Sequence, residues 1–340
     1  MGSERDQLCE EINTAILWEY DLPALKIKPV SDGYKVETVR GTKFLKEAHA
    51  TEEELWLAFE AVEHLNRRGF SLAPRFIPTK FGEPMVKVAD QVYYLTDWLD
   101  GKEYNLGKLS HLANAAGLLC QMQQAAVGFR PSSVPVSRER WGKWPQLFVE
   151  RLEDLRRCRD IANERMFLTE FDQLFLGLID GVLGQAEQSL EVMSGQPYRE
   201  VVAREQAEGG LCHHNFTSRN LIRQKRRFFI TGFDGCRLDI RLYDLGRLLL
   251  RYLPRYYWDV EVLVHVLQTY AKGYKLSRTE RLVLWSYLNF PHRLWRLARR
   301  HYLEGTDSEA RLTKAIQELI VEQKEYQEFL RQLPDRLEVT

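Results

Sequence analysis

His213, His214, Asn215 and Asn220 crowd into one short stretch, with Asp234 and Asp244 downstream and Lys46 and Glu54 far upstream. Histidines and carboxylates move protons, and amide and carboxylate oxygens hold hard cations. The adjacent histidines are not expected to bind metal, because no third ligand is placed near them in sequence. Each of the other residues also has an ordinary reading. Lys46 reads as a lysine that keeps a strand edge soluble. Glu54 reads as the acid of a helix cap, and Asp244 as the acid opening a helix that begins Leu245-Gly246-Arg247-Leu248.

These residues need elements to hold them. Ala24–Val30 alternates apolar and polar side chains, Ser31-Asp32-Gly33 turns, Tyr34–Val39 alternates again, and Lys43–Lys46 returns after Arg40-Gly41-Thr42, which predicts a three-stranded antiparallel meander. Thr51-Glu52-Glu53-Glu54 has capping-box form ahead of an apolar stripe at Leu55, Phe59, Val62 and Leu65, so a helix starts there and Gly69 stops it. Phe76–Thr79 and Gln91–Thr96 read as two more strands, and Asp100-Gly101 turns out of the sheet. A short helix is expected over Ser3–Trp18. From about Leu106 the pattern is mainly helical, except for two short strands at Asn220–Arg223 and Phe228–Thr231. No fixed-period repeat stands out.

The stretch His213-His214-Asn215-Phe216-Thr217-Ser218-Arg219-Asn220-Leu221, then Ile230-Thr231-Gly232-Phe233-Asp234, then Tyr243-Asp244-Leu245, resembles the catalytic segment of the aminoglycoside phosphotransferase and choline kinase group. That group's pattern reads His-Gly-Asp-x-x-x-x-Asn-Leu, then Ile-Asp-Phe-Asp, then Asp-Leu. Tyr34–Thr38 with Phe44-Leu45-Lys46 resembles the group's second and third strands, and Tyr93–Gly101 its hinge strand. Gly142-Lys143-Trp144-Pro145, Leu152–Leu155, Leu288–Trp295 and Arg299–Tyr302 are similar to the CotS-type spore coat proteins within that group. The likeness covers nearly the whole chain.

The resemblance implies an α+β, bilobal protein-kinase-like fold. A small antiparallel-sheet N-lobe would occupy residues 1–99 and a mainly helical C-lobe residues 100–340, with the catalytic segment at 211–245. It implies ATP and Mg²⁺ as cofactors. Lys46 would position phosphates with Glu54 as its partner, and Asp97 and Leu99 would form the hinge. His213 and Asp244 would support the catalytic loop. Asn220 would be a metal ligand.

Two positions depart from the pattern. The base is Asn215 where the group has Asp, and an amide cannot accept the substrate's proton. The principal metal ligand is Gly232 where the group has Asp. Asp234, two residues on, would serve only if the register were shifted. Three readings follow. One is a catalytically degenerate pseudokinase with a structural or assembly role in the spore coat, meeting other coat proteins after synthesis in the cytoplasm. The second is an active small-molecule phosphotransferase that uses Asp234 as metal ligand and a hydroxyl acceptor. The third is a nucleotide-gated binding module, in which ATP orders the two lobes without being hydrolysed.

The 340 residues carry 48 Lys+Arg and 48 Asp+Glu, so the net charge is zero. Whole-surface attraction to nucleic acid or anionic membrane is not expected. No apolar run is long enough for a membrane span, and the start of the chain lacks the basic and apolar regions of a secretory signal. Five scattered cysteines, among them Cys9, read as reduced thiols. The aromatic residues Tyr252, Tyr256, Tyr257, Trp258, Trp285, Trp295 and Tyr302 read as core or groove wall. Arg293, Arg296, Arg299 and Arg300 read as a charged solvent face.

Overall fold

A computed structural model describes residues 12–339. Cys9 and the start of the helix expected over Ser3–Trp18 lie outside the described residues. The described part of that segment is a wide helical turn, Ile12–Ile16, followed by a tight one, Leu17–Tyr20. Two compact units are formed. The first takes in the chain up to Asn105, Gln121–Glu139 and Gly209–Asp239. The second takes in Leu106–Cys120, Arg140–Glu208 and the chain from Ile240 onward.

The first unit is built on the expected meander of β1 (Ala24–Val30), β2 (Gly33–Thr38) and β3 (Gly41–Ala48). The pairing is antiparallel, with Val30 opposite Gly33 and Thr38 opposite Gly41. Gly33 is required: its φ is +147°, and a Cβ there would come within 2.2 Å of the Leu45 carbonyl oxygen. Helix α1 (Glu52–Arg67) follows, capped as expected by Thr51 and Glu54. Its apolar stripe at Leu55, Ala58, Val62 and Leu65 is buried.

Strands β4 (Phe76–Ile77) and β5 (Val86–Val88) both pair with β6 (Gln91–Asp97), which itself pairs with β3 so that Lys46 faces Tyr94. Val36, Leu45 and Leu95 form the core of this sheet with Ile16, Leu17 and Tyr20 from the segment before β1. A second small sheet joins β7 (Lys102–Glu103) to the hairpin β8 (Leu221–Gln224) and β9 (Arg227–Ile230). The hairpin matches expectation. Strands β5 and β7 go beyond it, being too short to show alternation.

The second unit is helical, and α2 (Leu109–Ala125) starts in it, although the last turn of that helix belongs to the first unit. Its other helices are α3 (Trp144–Asn163), α4 (Glu170–Ser194), α5 (Gln196–Glu208), α6 (Leu242–Tyr252), α7 (Val260–Ala271), α8 (Arg278–Asn289), α9 (His292–Ala298), α10 (Glu309–Val321) and α11 (Gln323–Val339). Thr169 with Asp172, and Ser277 with Glu280, form capping boxes that fix the starts of α4 and α8. Aromatic rings fill the interior, with Phe148 4.5 Å from Phe290 and Trp144 4.9 Å from Tyr287 between centroids. Buried charges are paired: Arg241 with Glu205 at 2.5 Å, and Arg204 with Glu280 at 2.8 Å. The four described cysteines are free and buried. Among the described residues, no helix is long and apolar enough to cross a membrane.

Candidate functional site

His213 opens the loop that carries the candidate chemistry. It is fully buried, and burial pushes its pKa down to about 4, so the ring is neutral. Its two nitrogens are then assigned by their partners. Nδ1 accepts the Asn215 backbone N–H at 3.2 Å, and Nε2 donates to the Thr231 carbonyl at 2.8 Å. The imidazole therefore staples the loop to the end of β9. His214 stands where the resemblance expects glycine, and it keeps a left-handed backbone, φ +61°. That conformation costs about 1–2 kcal/mol for a residue with a side chain. A 2.9 Å contact between its ring and buried Asp239 holds it there.

Asn215 is exposed. Its carbonyl accepts a 2.9 Å bond from Asn220 Nδ2, which fixes the Asn220 amide. The Asn220 Oδ1 atom then faces Gly232. A Cβ built on Gly232 would sit 2.7 Å from that oxygen and 2.9 Å from the amide nitrogen, and Gly232 has φ +78°. Gly232 thus sits directly against the expected metal ligand and brings no side-chain oxygen of its own.

Asp234 follows in the tight turn Phe233–Gly235. Its carboxylate takes two bonds from Lys46 Nζ, at 2.8 and 3.0 Å, and one from the Tyr94 hydroxyl at 3.2 Å. Burial pushes the Tyr94 hydroxyl well above its ordinary value, and Asp234 adds to the shift. The expected pairing of Lys46 with Glu54 is therefore corrected: Lys46 is bound to Asp234. Glu54 is claimed instead by the backbone of Thr51 at 3.1 Å, by the Ser137 hydroxyl at 2.5 Å and by Arg138 at 2.8 Å. Although burial opposes it, these bonds and the Arg138 charge hold the Glu54 carboxyl below its usual range. Arg138 is buried, so Glu54 neutralises a charge that would otherwise be stranded.

Lys46, Asn220, Gly232, Leu99 and Asp97 all line one cavity of about 600 Å³ in the first unit. Apolar walls come from Phe44, Val62, Phe76 and Ile222, while Asp32 and Arg219 add opposite charges. The Asp97 carboxylate is exposed and pairs with Lys43 at 2.6 Å. Asp244 belongs to the second unit, where it is buried in the first turn of α6. Sequence reasoning missed Tyr94 and Arg138. Tyr94 could have been found, because alternation along β6 puts it on the face shared with Thr96. Arg138 ends a short irregular turn, Val136–Arg138, which carries no periodic signal.

Comparisons with known proteins bear on the family and the fold. Residues 19–333 match the family described as "Spore coat putative kinase YutH". Spore coat protein S of Bacillus subtilis (strain 168) is 28% identical over 337 residues, which span 97% of this chain and 95% of that protein. An aminoglycoside phosphotransferase from Alicyclobacillus acidocaldarius has a similar structure, with a TM-score of 0.84 at 24% identity over 96% of both chains. Spectinomycin phosphotransferase APH(9)-Ia, solved with ADP and spectinomycin, gives a TM-score of 0.60 at 14% identity over 92% of this chain and 93% of that one. The fold is that of the kinase-like phosphotransferases, with an antiparallel sheet in the N-terminal region and helices in the C-terminal part. With the match running from the segment before β1 into α11, the chain belongs to this family of kinase-like spore coat proteins.

Proposed function

We propose that this protein serves in the spore coat as a degenerate phosphotransferase, whose cleft accepts a nucleotide but does not transfer its phosphate. The observation that carries the reading is Gly232, which faces Asn220 with no carboxylate and so closely that a Cβ there would come within 2.7 Å of the amide oxygen. Mg²⁺ wants near-octahedral oxygen coordination, usually with one or two protein carboxylates. Asp234 is the nearest acid in sequence, and its charge is taken by Lys46. The residues present therefore do not fit a firm Mg²⁺ site. Position 215 adds to this, since Asn215 can hold a hydroxyl but cannot take its proton. Loss of a general base alone slows such chemistry by about 10²- to 10⁴-fold.

Nucleotide binding is supported by the cavity. Its volume, about 600 Å³, lies in the range of small-molecule sites. Lys46 and Arg219 offer cations for phosphates, and Asp97 and Leu99, which this reading assigns to the hinge, line the same cavity. The coat assignment rests on the family and on the name of the Bacillus subtilis relative. On that basis other coat proteins are the proposed partners, met after synthesis in the cytoplasm.

The second reading, an active phosphotransferase with Asp234 as metal ligand, draws on the position of Asp234 beside Lys46. One experiment separates the two. Pure protein is incubated with ATP, Mg²⁺ and a panel of hydroxyl compounds, and ADP release is followed. The degenerate reading expects no turnover above the uncatalysed background. Robust turnover that disappears in Asp234→Ala would establish the active reading instead.

A further inference from the structure

The second unit holds a cavity of about 480 Å³ that shares no lining residue with the cleft. Five arginines line it: Arg247, Arg251 and Arg255 from α6 and the turn after it, and Arg293 and Arg296 from α9. The first three recur at intervals of four residues, so they fall on one helical face. A single carboxylate, Glu322, lies among them, and it is bound to Arg293. Among the described residues, Arg247, Arg251, Arg255 and Arg296 have no carboxylate in ion-pair range. Arg255 rests over the Tyr252 ring at 5.3 Å. The only histidine in the lining, His292, is held well below its ordinary pKa by burial and by Arg151, so it adds no charge.

Neighbouring arginines are treated differently. Arg299 is bound to Asp154 and Glu304, Arg300 to Asp307, and Arg241 to Glu205 and Glu208. Of the four arginines expected on a solvent face, Arg293, Arg299 and Arg300 are paired with acids, while Arg296 is exposed as expected and lines the cavity together with Arg293. Burial lowers the Arg296 pKa, and Arg247, Arg300 and Arg151 lower it further by like-charge repulsion. Arg247, Arg251, Arg255 and Arg296 are exposed, so solvent screens part of this repulsion, and an anion relieves the rest. Guanidinium forks match phosphate and carboxylate oxygens two at a time. Leu294 and Phe290 give the cavity an apolar wall, and its size limits the occupant to a small molecule.

We propose that this cavity binds a compact anion carrying two or more phosphate or carboxylate groups, held chiefly by Arg247, Arg251 and Arg296. The probes are inorganic pyrophosphate and citrate, titrated calorimetrically into the full chain at low ionic strength, where screening is weak. At least one should bind with a dissociation constant below about 1 mM. Binding of pyrophosphate alone would mark the ligand as a phosphate, and of citrate alone as a carboxylate. Arg247→Gln with Arg296→Gln should weaken binding at least about tenfold, the scale of one lost charge-assisted bond. Lys46→Ala should leave it unchanged. Without anion, the double variant should melt at a higher temperature than the parent, because repulsion has been removed. Failure of both probes would overturn the proposal, as would binding that depends on Lys46 and not on the arginines. A lower melting temperature in the double variant would overturn it too, by making the arginines structural.

Discussion

An aspartate placed at position 232 would not simply restore a metal site. Its Cβ would meet the Asn220 amide at 2.7 Å, and its backbone would have to keep φ +78°. Asn220 could rotate away only by giving up its bond to the Asn215 carbonyl. Gly232→Asp is therefore expected to lower stability by about 1–3 kcal/mol in urea denaturation, and added Mg²⁺ should recover little of that loss. Lys46 differs from its expected part as well. As a strand-end lysine it should matter little to the fold, but the ion pair with Asp234 is mostly buried. Lys46→Ala should remove about 1–3 kcal/mol of stability and weaken nucleotide binding roughly ten- to a hundredfold; urea denaturation checks the first and calorimetric titration with nucleotide the second. The types at positions 213, 215, 220 and 232 were legible because their spacing is local. The partner of Lys46 was not, because Asp234 is 188 residues away in sequence and Glu54 had a nearer claim in Arg138.

At the scale of elements, α1 and the loop at His213 make separate demands. Glu54 closes the cap of α1 and neutralises buried Arg138 in one step. Glu54→Ala should cost about 2–4 kcal/mol of stability while leaving nucleotide affinity within about twofold. An affinity loss matching that of Lys46→Ala would return Glu54 to the phosphate site. The loop should make the fold sensitive to acid. Folded His213 titrates near 4 and the unfolded ring near 6.5, so the unfolded chain takes the proton first. Stability contributed by the neutral ring is complete above pH 6.5 and is lost as pH falls toward 4, by roughly 3 kcal/mol from this residue. His213→Gln should flatten the slope of stability with pH across that window; an unchanged slope would contradict the buried, neutral assignment. The meander, α1 and the β8–β9 hairpin were legible because alternation and capping are local patterns. Strand β7, two residues long, exists only through its pairing with β8.

At the scale of the whole molecule, the family match spans both units, while every residue of the cleft comes from the first. Long-range pairings gather it: Lys46 with Asp234, and β7 with β8. No local periodicity announces such contacts, so the family resemblance could imply the kind of fold but not which charges would meet. Among the described residues the cleft holds the cations Lys46 and Arg219, the Asn220 amide and the acids Asp32, Asp97 and Glu103 in its lining, with glycine where a carboxylate would face the amide. The most direct test is calorimetric titration of the full chain with ATP, with and without Mg²⁺. Binding whose affinity changes by less than about twofold on adding Mg²⁺ is the expected result, because the proposed reading gives this cleft no firm metal site. An affinity raised tenfold or more by Mg²⁺, equivalent to about 1.4 kcal/mol, would contradict the account and restore a working metal site to this cleft.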